Sequence, residues 1–312
     1  MDPVTHTLVG ATLAQTGFKR RTALGAATLV VGAVLPDIDV LAYFWGSETA
    51  VWFRRGLTHG VLALIVLPCA LAGLVLLWDR LVRRRLKAEA EPAVGRQVLM
   101  LAVMALATHP LLDFLNSYGT RWLAPFSQAW SYGDTLFIFD PWVWAILAAG
   151  LWLSRGGMKG PRLALGVASG YVVLMALSNV AARGVVRQSL RQDGVVAERI
   201  MTAPLAAAPF ERWVVVESTA GYLVGLFNWL PAPRLELHEL PYHHEPPSDA
   251  AVLAAEESRA RKFLSWARFP YYLEEDGPGR HRLHLADARY TVDPYGSWAS
   301  TSVTVRGVAL PD

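Results

Sequence analysis

The sequence predicts an α+β protein, with a polytopic α-helical membrane domain of about six helices over residues 1–182 and a small β-rich extracytoplasmic domain over residues 183–312. Three observations carry that expectation. The 312 residues are 53% hydrophobic and their mean hydropathy is positive, which is high for a soluble chain. Long apolar runs alternate with basic clusters up to residue 182, and beyond it short β-branched or alternating runs are cut by Pro and Gly. Charge divides at the same place, with 15 Lys and Arg against 10 Asp and Glu in residues 1–182 and 14 against 16 in the remainder. The basic excess therefore belongs to the membrane half, where it bears on topology and not on nucleic acid.

The elements follow in chain order. Met1-Asp2-Pro3 lacks the basic start and small-residue cleavage pattern of a signal peptide, so His6 is expected in the mature chain. Val4 to Phe18 is a short apolar segment rich in small residues, closed by Lys19, Arg20 and Arg21. Thr22 to Trp45 is apolar again, but Pro36, Asp37 and Asp39 interrupt it, so its regular helix is expected to end near Leu35. A loop holding Arg54 and Arg55 leads to Leu57–Trp78, long enough to cross a core about 30 Å thick. Arg80, Arg83, Arg84, Arg85, Lys87 and Arg96 mark the next inner loop, and Val98–Asn116 returns outward. An aromatic loop precedes Asp140–Leu153. Arg155, Lys159 and Arg162 then lead into Leu163–Ala182.

In that arrangement 12 basic residues lie in inner loops and Arg54, Arg55 and Arg121 lie outside, the asymmetry of the positive-inside rule. The tail is then extracytoplasmic. In it, Trp213–Val216, Tyr222–Trp229, Arg234–His238, His281–Leu285 and Ser302–Val308 read as strands and Asp249–Phe263 as a helix. Its histidines, His238, His243, His244, His281 and His284, lack ligand spacing and read as surface residues. The single cysteine, Cys69, excludes a disulfide framework within the chain.

The same topology gathers six ionisable residues at one membrane face. His6 lies near the outer end of the first segment, Asp37 and Asp39 end the second, His59 begins the third, and His109 and Asp113 close the fourth. Ionisable groups in membrane segments are costly and face a partner or a cavity. His109 and Asp113 are one helical turn apart and reach one ion together. Asp37 and Asp39 share a side if the chain at Pro36 is extended. Imidazole with carboxylate suits zinc, manganese or iron, as one ion or as two bridged by a carboxylate. Asn116, Asp134 and Asp140 are expected to orient these ligands, with capping the alternative for Asn116 and Asp140, which sit at helix ends.

Thr5-His6, Leu35-Pro36-Asp37-Ile38-Asp39, Arg55-Gly56-Leu57-Thr58-His59 and His109-Pro110-Leu111-Leu112-Asp113, continued by Asn116-Ser117-Tyr118-Gly119-Thr120, resemble the bacterial membrane-bound metal-dependent hydrolase family, also described as LexA-regulated inner-membrane proteins. The resemblance covers roughly residues 1–155 and implies a metal site more firmly than a reaction. Arg54 is a departure, standing where many relatives carry His before the Arg-Gly pair. The order His, Asp, His and His-x-x-x-Asp is more weakly similar to part of the zinc-dependent phospholipase C superfamily, whose later His and His-x-x-x-Glu are not found in the membrane half.

Two functional expectations follow. One is a metal-dependent hydrolase of the bacterial inner membrane acting on a phosphoester or ester of a lipid or lipid-linked substrate, with Asp37 or Asp39 orienting water and Arg55 offsetting charge. The other is a non-catalytic, metal-stabilised membrane scaffold whose C-terminal domain binds a protein partner. A catalytic ion keeps an open position, whereas a structural one is closed by protein ligands.

Overall fold

The first apolar segment forms helix α1 (Pro3–Gln15), started by Pro3 and by Asp2, whose carboxylate accepts from the backbone N–H groups of Val4 and Thr5 at 2.9 and 3.1 Å. The computed structural model describes residues 1–277, 280–296 and 298–306. Among them two compact units are separable, one of Met1–Leu41 with Phe53–Ser178 and the other of Ala42–Trp52 with Asn179–Asp312.

In the first unit α1 is followed by α2 (Gly25–Val34), which ends where Pro36 was expected to end it. The chain does not then become extended. Leu35–Trp45 is a 3-10 helix, and α3 (Ser47–Phe53) follows. Helix α4 (Ala63–Trp78) runs through a π-helical turn, Asp79–Arg83, into α5 (Arg84–Leu86). Helix α6 (Gly95–Phe114) carries Pro110 inside it. Helix α7 (Pro141–Leu153) starts on Asp140, which accepts from Trp142 and Val143 N–H and from the Tyr171 hydroxyl. Capping therefore accounts for Asp140. Helix α8 (Lys159–Gln192) runs ten residues past the expected end of its segment.

Four stretches among the described residues are long and apolar enough to cross a membrane: Gly25–Trp45, Ala63–Leu86, Gly95–Phe114 and Lys159–Gln192. Helices α1 and α7 have 13 residues each. At roughly 1.5 Å per residue each extends about 20 Å, short of a core about 30 Å thick.

Small residues bring the helices together. A methyl group on Gly10 would lie 2.8 Å from the Leu29 carbonyl oxygen and 2.9 Å from Ala33 Cβ, and one on Gly32 would lie 2.9 Å from Ala105 Cβ. Helices α1, α2 and α6 thus approach more closely than larger side chains allow. Ala14, Leu29, Ala33, Leu101 and Ala105 fill the space between them.

In the second unit β1 (Ala197–Leu205), β2 (Ala208–Ser218), β3 (Gly221–Asn228) and β4 (Arg234–Glu239) form an antiparallel sheet in sequence order. A second antiparallel sheet is built of β5 (Pro270–Gly277), β6 (Arg280–Asp287) and β7 (Ser300–Arg306). Alternation along β2 sends Val214 and Val216 toward Ala182, Val186 and Leu190 of α8, while Val215 packs with Tyr222, Phe269 and Tyr271. Val214, Val215 and Val216 are wholly buried as a result, so β2 is covered on both faces there.

Strands β1 and β5 were not expected. Ala197–Leu205 mixes Glu198, Arg199 and Pro204 with apolar residues, and Pro270–Gly277 ends in an acidic run, so neither reads as a β-rich stretch. The expected helix Asp249–Phe263 is two short ones, α9 (Asp249–Ala255) and α10 (Ser258–Leu264). Val308, the expected end of the last strand, and the His281 side chain lie outside the described residues. His284 corrects the surface reading of the tail histidines. It is 8% exposed, its Nε2 is 3.1 Å from Glu275 Oε2, and its ring meets Tyr295 edge-on.

Candidate metal centre

Asp37, His59, His109 and Asp113 each present one ligand atom, and the four atoms lie within 4.8 Å of one another. His59 Nε2 is 3.1 Å from His109 Nε2 and 3.0 Å from Asp113 Oδ2. His109 Nε2 is 3.5 Å from Asp113 Oδ2 and 3.7 Å from Asp37 Oδ1. A tetrahedral ion with bonds near 2.0–2.1 Å separates its ligands by about 3.3 Å, so these spacings are those of a coordination shell. His59, His109 and Asp113 are wholly buried and Asp37 nearly so.

The outer nitrogens fix what the inner ones offer. His109 Nδ1 is 2.6 Å from the Ala33 carbonyl oxygen. A carbonyl only accepts, so Nδ1 carries a proton and the neutral ring presents a bare lone pair at Nε2. His59 Nδ1 lies 2.9 Å from Thr58 Oγ1 and 3.4 Å from Asp39 Oδ2, while the Thr58 hydroxyl donates to that same Asp39 oxygen at 3.1 Å. With the proton of His59 on Nδ1 that chain is satisfied and Nε2 is left bare, the tautomer in which the ring can bind an ion; in the other tautomer Nε2 donates to Asp113 Oδ2 at 3.0 Å. In the first tautomer two lone pairs face one another across 3.1 Å in a buried place, a repulsion that a cation between them would relieve. The Asp37 Oδ2 atom is buried with no hydrogen-bond partner, a further acceptor left open at the same place. The donor set thus fits a divalent ion, and these four residues can hold one.

The two remaining expected ligands stand beside this set. His6 stacks on His109 with ring centroids 3.6 Å apart, and its Nε2 is 3.3 Å from Asp113 Oδ1, the carboxylate oxygen turned away from the other histidines. Its Nδ1 is buried and has no hydrogen-bond partner. Asp39 accepts from the Arg55 backbone N–H at 2.8 Å and from Thr58, so it orients His59 from behind. The 3-10 helix explains the difference between the two aspartates. At three residues per turn, side chains two positions apart diverge by roughly 120°, sending Asp37 toward His109 and Asp39 toward His59 Nδ1. The expected extended turn, which would aim both carboxylates at one ion, is not formed.

Arg55 is 2% exposed and in the left-handed region at φ 52°. It donates to Asn116 Oδ1 at 2.9 Å, to the Gly119 carbonyl at 3.3 Å and to the Met1 carbonyl at 3.2 Å, and pairs with Asp113 Oδ1 at 3.0 Å. The Met1 amine also contacts Asp113 Oδ1. The Tyr118 ring lies under the guanidinium at 4.6 Å. Arg55 thus fixes the outer oxygen of Asp113 while its inner oxygen faces the histidines. Asn116 has the expected supporting part, since it accepts from Arg55 and from the Tyr118 backbone N–H. Asp134 is buried.

Sequence reasoning missed Thr58, Arg54 and the Ala33 carbonyl. Thr58 stands next to His59, and that adjacency was its only signal. Arg54 lies 3.3 Å from Asp37 Oδ1 and 3.5 Å from Asp39 Oδ1 with 21% of its side chain exposed. A backbone carbonyl has no residue signature at all.

A Bacillus subtilis (strain 168) protein, described as uncharacterized protein YfhP, is 22% identical to this chain over 276 residues, covering 84% of this chain and 76% of its own length. No solved structure matches the chain. The likeness to the phospholipase C superfamily is not carried by these matches, and neither description names a hydrolase. The family model described as YdjM inner membrane protein, a LexA-regulated family, matches residues 1–187, which take in every residue of the metal centre, and the chain belongs to that family.

Proposed function

We propose that the protein is a metal-dependent hydrolase of the inner membrane that cleaves a phosphoester or ester of a lipid or lipid-linked substrate. The observation that supports this most is the gathering of two imidazole nitrogens and two carboxylate oxygens within 4.8 Å of one another, the donor chemistry of zinc, manganese or iron. A divalent ion there supplies Lewis acidity and lowers the pKa of water. Hydrolysis adds water across the ester bond, its oxygen going to phosphorus or acyl carbon and one hydrogen to the departing alcohol, so no oxidant or reductant is needed.

The chain's own residues divide the remaining work. His59 and His109 hold the site in one tautomer through Asp39, Thr58 and the Ala33 carbonyl. Asp113 is oriented by Arg55. Asp37 is the most exposed of the four at 6%, and in this reading its buried Oδ2, which has no hydrogen-bond partner, would take a proton from water. Arg55 is enclosed by its partners, so its part in this mechanism is to position Asp113.

In the same reading the chain crosses the membrane six times, with α1 and α7 as short crossings, and the tail beyond residue 182 is extracytoplasmic. The distribution of 12 basic residues in the inner loops against 3 outside supports it. The metal centre then lies near the outer face, in the interfacial layer where a lipid arrives laterally.

The full burial of His59, His109 and Asp113 favours one other reading, a closed structural ion in a scaffold whose tail binds a partner. Metal content and turnover separate the two. Purified protein is incubated with a panel of lipid phosphoesters and carboxylic esters, with and without chelator, beside Asp37→Ala. Turnover that chelator and substitution both abolish is the expected result. A full metal complement with no turnover on any substrate would leave the scaffold.

A further inference from the structure

Beside the metal centre a cleft of about 640 Å³ opens along α2 and the start of the 3-10 helix. Val30, Val31, Val34 and Ile38 line its length, and Asp37 and Arg54 are the charged residues on its wall. The cleft and the metal centre therefore share a residue, since Asp37 belongs to both. Most of the wall comes from Gly25–Trp45, one of the four stretches able to cross a membrane. With the chain in the membrane as proposed above, an occupant would reach this cleft from the lipid side, its polar end at the Asp37 and Arg54 end of the wall.

Arg54 decides the charge of that polar end. The two adjacent arginines are used differently, Arg55 being 2% exposed and closed in by Asp113, Asn116 and backbone carbonyls. The Arg54 side chain is 21% exposed and lies on the cleft wall, contacting Asp37 at Oδ1 and Asp39 at the oxygen that does not face His59. A guanidinium bonds phosphate oxygens in a planar fork. The apolar length takes hydrocarbon, Arg54 takes anion, and Asp37 marks where the bond to be cleaved would lie.

We propose that the substrate class is an anionic phospholipid, bound with one acyl chain along Val30, Val31, Val34 and Ile38 and its phosphate at Arg54. This rests on the hydrolase reading for turnover but not for binding. Arg54 is a specificity-determining residue in it, selecting an anionic headgroup over a neutral one.

Binding is tested without activity. Purified full-length protein in detergent micelles is irradiated with a phosphatidylglycerol carrying a photoactivatable acyl chain, and in parallel with a diacylglycerol of the same chains. Labelled peptides are mapped by mass spectrometry. Labelling at residues 30–38 is expected to favour phosphatidylglycerol by about tenfold, the worth of one charge-assisted hydrogen bond. Arg54→Gln should bring that preference to near unity without reducing diacylglycerol labelling. Val31→Trp should reduce both. Ile65 and Val66 on α4, which are also exposed and apolar, should label equally with either lipid in every variant. Equal labelling of the two lipids at residues 30–38 in the unsubstituted protein, or a preference that survives Arg54→Gln, overturns the proposal. If the preference holds but no lipid is hydrolysed, the hydrolase reading falls and the lipid site stands. If a soluble phosphoester is hydrolysed with metal and Val31→Trp changes nothing, the lipid site falls and the hydrolase reading stands.

Discussion

Arg55 Nη2 and Asp113 Oδ1 pair at 3.0 Å where neither is reached by water. A buried pair of this kind is costly to break, because removing one partner strands the other in low dielectric. Arg55→Ala is expected to destabilise the first unit by about 3–5 kcal/mol. Arg55→Lys keeps the charge but loses the planar fork whose Nη1 reaches Asn116 and Gly119 while Nη2 reaches Met1 and Asp113, so turnover should fall more than metal content. Thermal unfolding in detergent and elemental analysis of both variants check this. A lysine variant with full metal and full turnover would remove the positioning role.

The ligands and their supports should separate by metal content. His109→Ala and Asp113→Ala each remove an atom of the coordination shell, and bound metal should be lost on dialysis. Asp39→Asn disturbs only the orientation of His59 and should weaken affinity by about 10–100-fold while a stoichiometric ion is still held at high metal concentration. His6→Ala should leave one ion and remove a second if two are bound. Elemental analysis across a series of buffered metal concentrations distinguishes these outcomes. Asp39→Asn losing metal as completely as His109→Ala would return Asp39 to the ligand set.

The tail carries a pH response of its own. Tyr295 donates to Glu275 Oε1 at 2.8 Å, and His284 Nε2 lies at 3.1 Å from Oε2. These bonds, the tyrosine's first, hold the Glu275 carboxyl below its ordinary value of 4.5. A depressed folded pKa stabilises the protein above the unfolded value, and that stability is lost as pH falls through the folded one. Glu275 is exposed, so the effect is small. The unfolding midpoint of Glu275→Gln should lie slightly below that of the unsubstituted chain at neutral pH and converge with it below 4.5. A gap that is constant from neutral pH to pH 3 would contradict the assignment.

Topology is open to cysteine labelling once Cys69, the only cysteine, is replaced by serine. A cysteine placed at Ser189 or Ser265 should react with a membrane-impermeant maleimide added outside intact cells, and one at Arg85 should react only after permeabilisation. The reverse pattern would place the tail in the cytoplasm.

Much of the metal centre was legible in sequence because ionisable residues in apolar runs are few and costly. His59, His109, Asp37 and Asp113 needed only that argument and the i, i+4 spacing within α6. Asp39 was misplaced because the chain after Pro36 was expected to be extended. A 3-10 helix also satisfies the proline, and only tertiary packing decides between them. Strands β1 and β5 escaped for a related reason. Their apolar residues are covered by partners distant in sequence, Ile200 of β1 by α8 and Met201 of β1 by Tyr271 of β5, while Arg199 beside them stays exposed. Arg54 could be seen as a charge but not as a neighbour of two aspartates.

Gly10 and Gly32 set how near α1, α2 and α6 approach, and the Ala33 carbonyl that fixes the His109 tautomer lies on that same contact. In hydrocarbon such contacts are held by van der Waals fit, since lipid tails are as apolar as the helices and give no hydrophobic drive to pair. Gly32→Leu would therefore spread two helices and uncouple a carbonyl from an imidazole while altering none of the coordinating side chains. For an ion held at the candidate site, the hydrocarbon around the helices would thus itself bear on retention. A short-chain detergent that wedges between helices should strip the ion at a chelator concentration that leaves protein in a bilayer nanodisc fully loaded.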